Sequence, residues 1–122
     1  MMKRIALLAI VAAVVLGFAG CSLCNLPPVV IVTISPESPT WAGDSYEFDA
    51  SQTSDPDGDT LTFAWSLATV PAGAIASFDD ATSAVVSLLT DNEIDGAYVV
   101  RLVVSDGTDS TTAEFDVATA IF

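Results

Sequence analysis

The sequence predicts an all-β domain built as a sandwich of two antiparallel sheets. Four separate segments alternate apolar and polar side chains with a period of two, and turn-forming Gly, Pro and Asp residues lie between them. After the first 28 residues, no segment of useful length repeats its apolar positions with the period of a helix. A period of two places one face of each strand in the core and the other in water, which is typical of antiparallel sandwiches.

Residues 1–20 are predicted to be a secretion signal rather than part of the domain. Residues 1–4 form a short basic start, and residues 5–20 form an apolar run that only Gly17 and Gly20 interrupt. This run of 16 residues is shorter than most membrane-spanning helices, which need about 17 to 25. Removal of residues 1–20 is therefore favoured over a spanning helix.

Phe18-Ala19-Gly20-Cys21 resembles the lipobox of bacterial lipoproteins, in which signal peptidase cuts before a cysteine that carries a diacylglycerol group. The resemblance implies that Cys21 is lipidated and begins the mature chain, although Phe18 stands where Leu is usual. The alternative is an ordinary cleaved signal followed by a chance cysteine. Two or more acyl chains on one residue would anchor the protein stably in a membrane.

Residues 21–28 are predicted to be a lipidated tether, because Pro27 and Pro28 force an extended backbone. If Cys21 is acylated, Cys24 has no intramolecular disulfide partner. In enterobacterial lipoproteins, an Asp after the lipidated cysteine marks retention in the inner membrane, and Ser22 stands there in this chain. By that resemblance we expect an exported, membrane-anchored protein in the outer membrane or at the cell surface rather than in the inner membrane.

The charge of the mature chain excludes one class of partner. Loss of Lys3 and Arg4 takes the formal net charge from −13 to −15 and leaves Arg101 as the only cation of residues 21–122. Nucleic acid is excluded as a partner because its phosphates would be repelled. The same sign opposes direct adsorption to anionic lipids, so contact with the membrane is expected through the N-terminal lipid or through a bridging divalent cation.

The predicted strands lie within residues 29–122, which are expected to form one domain. Residues 29–34 are β-branched throughout, residues 84–90 form a strand of less certain register, and residues 68–76 form a loop or a weak edge strand. The four alternating segments are residues 45–50, 60–67, 97–105 and 111–118. Their predicted inward side chains are Tyr46, Phe48, Ala50, Leu61, Phe63, Trp65, Leu67, Tyr98, Val100, Leu102, Val104, Ala113, Phe115 and Val117.

Two stretches, FDASQTSDPDGDTLTFAWSL at 48–67 and GAYVVRLVVSDGTDSTTAEFDV at 96–117, resemble the PKD-like domains. These domains, with their REJ-type relatives, are immunoglobulin-like β-sandwiches of surface proteins. The similarity runs from about Pro28 to Ala118 and includes the acidic loop, the Trp65 strand and the turn at residues 105–107. It implies extracellular interaction or spacing rather than catalysis. Collagenase-type members have a Gly-Asp-Gly turn after the Trp strand, whereas residues 66–71 here read SLATVP, which is nearer the REJ-like branch.

The acidic loop SDPDGD at residues 54–59 has two interpretations. Asp55-Pro56-Asp57-Gly58 has the composition of a type I turn, which needs no ion. An EF-hand is excluded because Thr60 and Ser66 occupy its required Gly and Glu positions. A different calcium site remains open, because the sandwich order would bring this loop beside residues 105–110, and crowded carboxylates favour a hard cation. Its predicted ligands are Asp55, Asp57, Asp59 and Asp106, with Asp109 nearby.

An enzyme is not expected, because residues 21–122 contain no His and no Lys to act as a base for a nucleophile. Two functions remain. One is a non-catalytic cell-envelope lipoprotein whose PKD-like module binds a protein or polysaccharide. The other is a structural spacer, stabilised by Ca²⁺, or a subunit of a larger envelope complex. Val99 and Val103 would form either a docking patch or a covered surface, and Trp41 would be either a core residue or an exposed anchor.

Overall fold

The computed structural model describes residues 9–12 and 25–121. Within these residues the chain is all-β, with nine strands and no helix. The strands are β1 (Ala9–Ala12), β2 (Ile31–Ser35), β3 (Thr40–Trp41), β4 (Ser45–Asp49), β5 (Thr62–Thr69), β6 (Ser77–Phe78), β7 (Val85–Leu89), β8 (Gly96–Ser105) and β9 (Ser110–Ala120).

The strands form two sheets whose pairings are antiparallel with one exception. The first sheet has the order β1-β2-β4-β7-β6, and the second has the order β3-β9-β8-β5. The exception is β3, which runs parallel to the end of β9 through Thr40 opposite Thr119. The prediction of an all-β, mostly antiparallel fold is therefore confirmed.

Alternating side chains of both sheets form one core. Phe48 on β4 lies 5.6 Å from the ring of Trp65 on β5 and 6.3 Å from the ring of Phe115 on β9, so aromatic contacts join the two sheets. The predicted inward faces of the four alternating segments are confirmed. Leu61, Phe63 and Leu67 are only half-buried, at the margin of the core.

The boundaries of two predicted strands were wrong. The Trp65 strand runs from Thr62 to Thr69 rather than over residues 60–67, so Ala68 and Thr69 belong to a strand and not to a loop. Thr62 pairs with Ser105, where β8 ends, and residues 60–61 therefore have no strand to pair with there. The first strand predicted for the domain runs from Ile31 to Ser35 rather than over residues 29–34, and Val29 forms only an isolated bridge with Ser54.

Three strands were not predicted, and one of them lies in an unexpected place. Both β3 and β6 have only two residues. Strand β1 lies inside the segment predicted to be a signal peptide and pairs with β2, with Ala9 opposite Ile34. The predicted lipidation residue Cys21 and its neighbour Cys24 lie outside the described residues. Among the described residues, no helix is long and apolar enough to cross a membrane.

The second half of the predicted tether packs against the domain. Pro27 and Pro28 are buried, and the Thr111 hydroxyl donates a hydrogen bond of 2.7 Å to the Pro28 carbonyl. The backbone N–H of Leu26 donates to Asp57 Oδ2 at 2.7 Å. The chain therefore enters the fold directly beside the acidic loop.

Candidate functional site

One end of the molecule is formed by residues 54–59, residues 106–109 and the entering residues Asn25 and Leu26, and we call this end the acidic pole. The first loop connects β4 to β5, and the second is the short turn between β8 and β9. Asn25 contacts both carboxylates of the second loop, at 2.6 Å from Asp106 Oδ2 and 3.1 Å from Asp109 Oδ2. Asp55 of the first loop lies beside Asp106 of the second, so the two loops meet as predicted.

The first loop is a hydrogen-bonded turn centred on Asp55. The Gly58 N–H donates to the Asp55 carbonyl at 3.0 Å, as a four-residue turn requires. Asp55 Oδ1 accepts from the N–H groups of Asp57 and Asp59, at 2.8 and 3.2 Å. This compact turn brings one carboxylate oxygen of each of Asp55, Asp57 and Asp59 to within 4.8 Å of the others.

The other oxygen of Asp55 is the unusual atom of the acidic pole. Asp55 Oδ2 is buried and has no hydrogen-bond partner in the described part of the chain. Its neighbour is the carboxylate of Asp106, which is buried as well. A buried acceptor that faces another carboxylate is costly unless a proton or a cation lies between them.

Asp106 is held ionised by the groups that surround its carboxylate. The Asp109 N–H and the Asn25 side chain, followed by the Thr108 N–H and the Asp55 side chain, lower the pKa of Asp106 to about 2. The Asp109 and Thr108 bonds to Oδ1 measure 2.7 and 2.8 Å. Asp106 therefore stays negatively charged next to Asp55 at all but strongly acidic pH.

The pKa of Asp59 is shifted in the opposite direction to that of Asp106. Desolvation, followed by the negative charges of Asp55, Asp106 and Asp57, raises its pKa. The other three predicted calcium ligands therefore lie close enough to Asp59 to disfavour its ionised form. Asn25 was not predicted to contribute, because its contact with Asp106 spans 81 residues of sequence.

The acidic pole has the donor chemistry of a hard-cation site. Carboxylate oxygens are the ligands that Ca²⁺ prefers, and several backbone carbonyls lie in the same turns. Two of the predicted ligands already accept hydrogen bonds from the entering segment, Asp57 from Leu26 and Asp106 from Asn25. A bound ion would therefore have the oxygens of Asp55 and Asp59 as its most available ligands.

The other residues singled out from sequence lie away from the acidic pole. Arg101 forms a salt bridge with Glu114 across β8 and β9, at 2.6 Å on the exposed face. Val99 and Val103 are half-buried on that face, so they form neither an open patch nor a covered core. Trp41 is 52% exposed on β3, near the opposite end of the molecule.

Comparison with known proteins gives one structural similarity. No protein-family model matches the chain, and no curated protein matches it. Among solved structures, the chain is similar to a nucleoside hydrolase-related hypothetical protein from Saccharophagus degradans that is associated with carbohydrate metabolism. The identity is 25% with a TM-score of 0.61, over 80% of this chain and 26% of that one. The chain thus spans about a quarter of the length of that protein.

Proposed function

We propose that this protein is an exported, lipid-anchored cell-envelope protein whose immunoglobulin-like, PKD-like domain binds a polysaccharide without catalysis. The observation that carries the proposal is the similarity to one quarter of a larger protein associated with carbohydrate metabolism. A domain that forms a quarter of a larger protein is suited to work as an attached module. Binding to an envelope protein is the competing outcome.

The immunoglobulin-like part of the proposal is supported by strand order. The order β2-β4-β7-β6 corresponds to A-B-E-D of a constant-type domain, and β9-β8-β5 corresponds to G-F-C. The Tyr98 hydroxyl near the start of β8 accepts a hydrogen bond of 3.1 Å from the Asp91 N–H, as the tyrosine corner of that fold does. Trp65 on the third of these strands packs on Phe48, where antibody domains have a disulfide.

The non-catalytic part of the proposal is supported by the absence of a base. The whole sequence contains no His, and its one lysine is Lys3 in the predicted signal. Arg101 is bound to Glu114 on an open sheet face. Carboxylates alone can hydrolyse glycosides, but only as a pair across a substrate cleft, and the acidic pole gathers its carboxylates in one cluster.

The first test concerns the cellular location and the lipid anchor, and the second concerns binding. Full-length protein made in a bacterial host that processes lipoproteins should reach the membrane fraction with diacylated Cys21 at its N-terminus, as shown by mass spectrometry. Cys21→Ser should release or mis-sort the protein. An unmodified Cys21, or a cut elsewhere, would contradict the lipid anchor.

The purified protein should then bind at least one envelope polysaccharide in detergent solution. Trp41 is the exposed aromatic ring on which a sugar could stack, so Trp41→Ala should weaken binding. Ile75→Ala, which removes an exposed aliphatic side chain, is the matched control. Failure to bind any polysaccharide, together with capture of one envelope protein, would favour the competing outcome.

A second role, that of a calcium-stabilised spacer, is favoured by the buried, unpartnered Asp55 Oδ2. We propose that Asp55, Asp57, Asp59 and Asp106 hold Ca²⁺, with Asn25 moving aside from Asp106. The pKa of Asp59 is raised by desolvation first and then by the negative charges of Asp55, Asp106 and Asp57, and a cation would remove the second of these effects. Extracellular calcium modules bind at about 10⁻⁴ to 10⁻³ M, so stabilisation should appear at millimolar Ca²⁺.

Calorimetry of the mature protein with Ca²⁺ or Mg²⁺ at matched ionic strength tests this role. Ca²⁺ should raise the melting temperature more than Mg²⁺, and Asp57→Asn should reduce the difference. Asp116→Asn, which removes an exposed carboxylate from the face of β9, should leave it intact. Equal effects of the two ions would indicate screening of charge, with residues 54–59 acting only as a turn.

A further inference from the structure

We infer that the outer edge of β2 is a self-association edge of the mature protein, occupied by β2 of a second copy. This inference rests on the proposed function in one respect, which is the removal of residues 1–20. In the structure this edge is covered by β1, a strand from within that segment. Once residues 1–20 are cleaved, the edge is exposed.

The backbone groups on this edge can be assigned from the bonds on the other side of β2. The N–H groups of Val29 and Ile31 donate toward β4 and its following loop, to Ser54 O at 2.8 Å and Thr53 Oγ1 at 3.0 Å. Because successive residues of a strand point their backbone groups to opposite sides, Val30, Val32 and Ile34 direct theirs to the outer edge. Cleavage would remove the partner strand of Val32 and Ile34, and Val30 extends the same edge beyond the residues that β1 covers.

The remaining sheet edges of the described chain are protected in ways that β2 is not. Strands β3 and β6 have two residues each, which is too short to serve as a template for pairing. Strand β9 is covered by β3 only at Thr119 and Ala120, and the rest of its edge carries the exposed charges of Glu114 and Asp116, which disfavour pairing. The middle of the β5 edge is occupied by the loop after β6, since the Trp65 N–H donates to the Ala81 carbonyl at 2.8 Å. In contrast, residues 29–35 read VVIVTIS, with no charge, proline or glycine. Such an edge favours the addition of a strand.

The sequence of this edge is self-complementary when two copies pair antiparallel about Val32. Val32 then lies opposite its own copy and Val30 lies opposite Ile34, and all of these residues have buried side chains and outward backbone groups. Ile31 lies opposite Thr33 on the outer face, in a pair without hydrogen bonds. The opposed pairs from Val30 to Ile34 are all β-branched in this register, and such pairs stabilise sheets.

Charge opposes this pairing only weakly. The acidic side chains opposite β2, Glu47 and Asp49, lie on β4, one strand away from the edge, and Glu37 lies beyond the end of β2. Their repulsion across the pair of copies is screened at physiological salt, where the Debye length is about 8 Å. The antiparallel arrangement also places the two acidic poles at opposite ends of the dimer.

Disulfide crosslinking of the full-length protein in intact cells tests the inference. In a Cys24→Ser background, the double variant Ile31→Cys, Thr33→Cys should give mainly disulfide-linked dimer on non-reducing gels. Opposed residues of a pair without hydrogen bonds have Cα atoms about 4.5 Å apart, within the range of a disulfide. The control Ile31→Cys, Ser35→Cys, whose residues are not opposed in this register, should remain mainly monomeric.

A third variant, Thr33→Lys in the Cys24→Ser background, should lower the dimer fraction measured by light scattering, because a charge on an edge strand blocks pairing. Circular dichroism verifies that each variant is folded. Mass spectrometry of the N-terminus separates the possible failures. Cleaved protein without dimer, or dimer in the control pair, overturns the inference alone, whereas uncleaved protein overturns it together with the proposed lipid anchor.

Discussion

Individual carboxylates in this protein act mainly as acceptors for backbone N–H groups. The Asp91 carboxylate accepts from Ile75, Glu93 and Ile94, and these bonds lower its pKa. Asp80 accepts from the N–H and the hydroxyl of Thr82, which lower its pKa as well. Further aspartates that accept from backbone N–H groups are Asp44, Asp49, Asp55, Asp57, Asp79 and Asp106. Backbone N–H groups therefore stabilise these carboxylates, whereas Arg101 is the one cation among residues 21–122.

Trp65 is the residue whose truncation should cost most stability. Its ring packs on Phe48 and Phe78, and its indole N–H donates to the Ser83 carbonyl at 2.8 Å. Trp65→Ala should lower the free energy of unfolding by about 3 to 5 kcal/mol, as measured by denaturant titration. Trp65→Phe should lose less, because it keeps an aromatic ring against Phe48. A midpoint for Trp65→Ala equal to that of the wild type would contradict the core position.

Tyr98 should stabilise the turn before β8 through its hydroxyl group. Tyr98→Phe leaves the Asp91 N–H without the acceptor that it has at 3.1 Å. The expected loss is about 1 to 3 kcal/mol, because an unpaired buried donor costs more than the average hydrogen bond gains. Thermal denaturation measures this loss of stability when Tyr98→Phe is compared with Ser66→Ala, an exposed control on β5. A loss no greater than that of the control would weigh against the tyrosine-corner interpretation.

At the scale of the strands, Gly96 fixes how β8 begins. Its φ angle is +141°, and a side chain there would bring Cβ to 2.9 Å from Pro71 Cγ. Gly96→Ala should therefore destabilise the protein by about 1 to 3 kcal/mol through backbone strain, with a further contribution from the contact with Pro71. Gly58→Ala is the matched control, since its φ is +78° but nothing lies within 4 Å of the added carbon. Equal melting temperatures for the two variants would show that the contact with Pro71 is unimportant.

The strands that the sequence predicted are those whose burial repeats over five or more residues. Alternation alone indicates which side chains point inward on β4, at Tyr46 and Phe48, and on β8, from Tyr98 to Val104. Strand β3 could not be found in this way, because two residues have no period and its partner Thr119 lies far along the chain. The acidic loops were predicted to meet from the strand order, while the contacts of Asn25 with Asp106 and Asp109 were missed because they span more than 80 residues of sequence.

For the whole molecule, stability should depend on pH in two opposite ways. Hydrogen bonds lower the folded-state pKa of Asp80, Asp91 and Asp106, to about 2 for Asp106. Their contribution is complete above the unfolded pKa of about 3.9 and is lost as pH falls through the folded values. Asp59 has a raised pKa, so its ionised form costs stability at higher pH, and protonation relieves that cost.

We therefore expect the melting temperature to pass through a maximum at mildly acidic pH and to fall steeply below about pH 4. Asp59→Asn should flatten the neutral side of this maximum while leaving the acid limb unchanged. Asp116→Asn serves as the control for loss of one negative charge. A profile of Asp59→Asn that is superimposable on that of the control would show that crowding at Asp59 has no net effect on folding.

The acidic residues of the strand faces and those of the turns differ in how many substitutions they should tolerate. Glu47, Glu114 and Asp116 project from exposed strand faces, so mutations there can add, remove or reverse charge with little effect on folding. Asp79, Asp91 and Asp106 sit in turns where a carboxylate one carbon from Cα reaches an N–H one to three residues ahead. Glutamate keeps the charge but places it one methylene too far, so aspartate is the harder residue to replace at these positions. Relatives of this protein could therefore lack the acidic residues of the strand faces and still keep the aspartates that stabilise the turns.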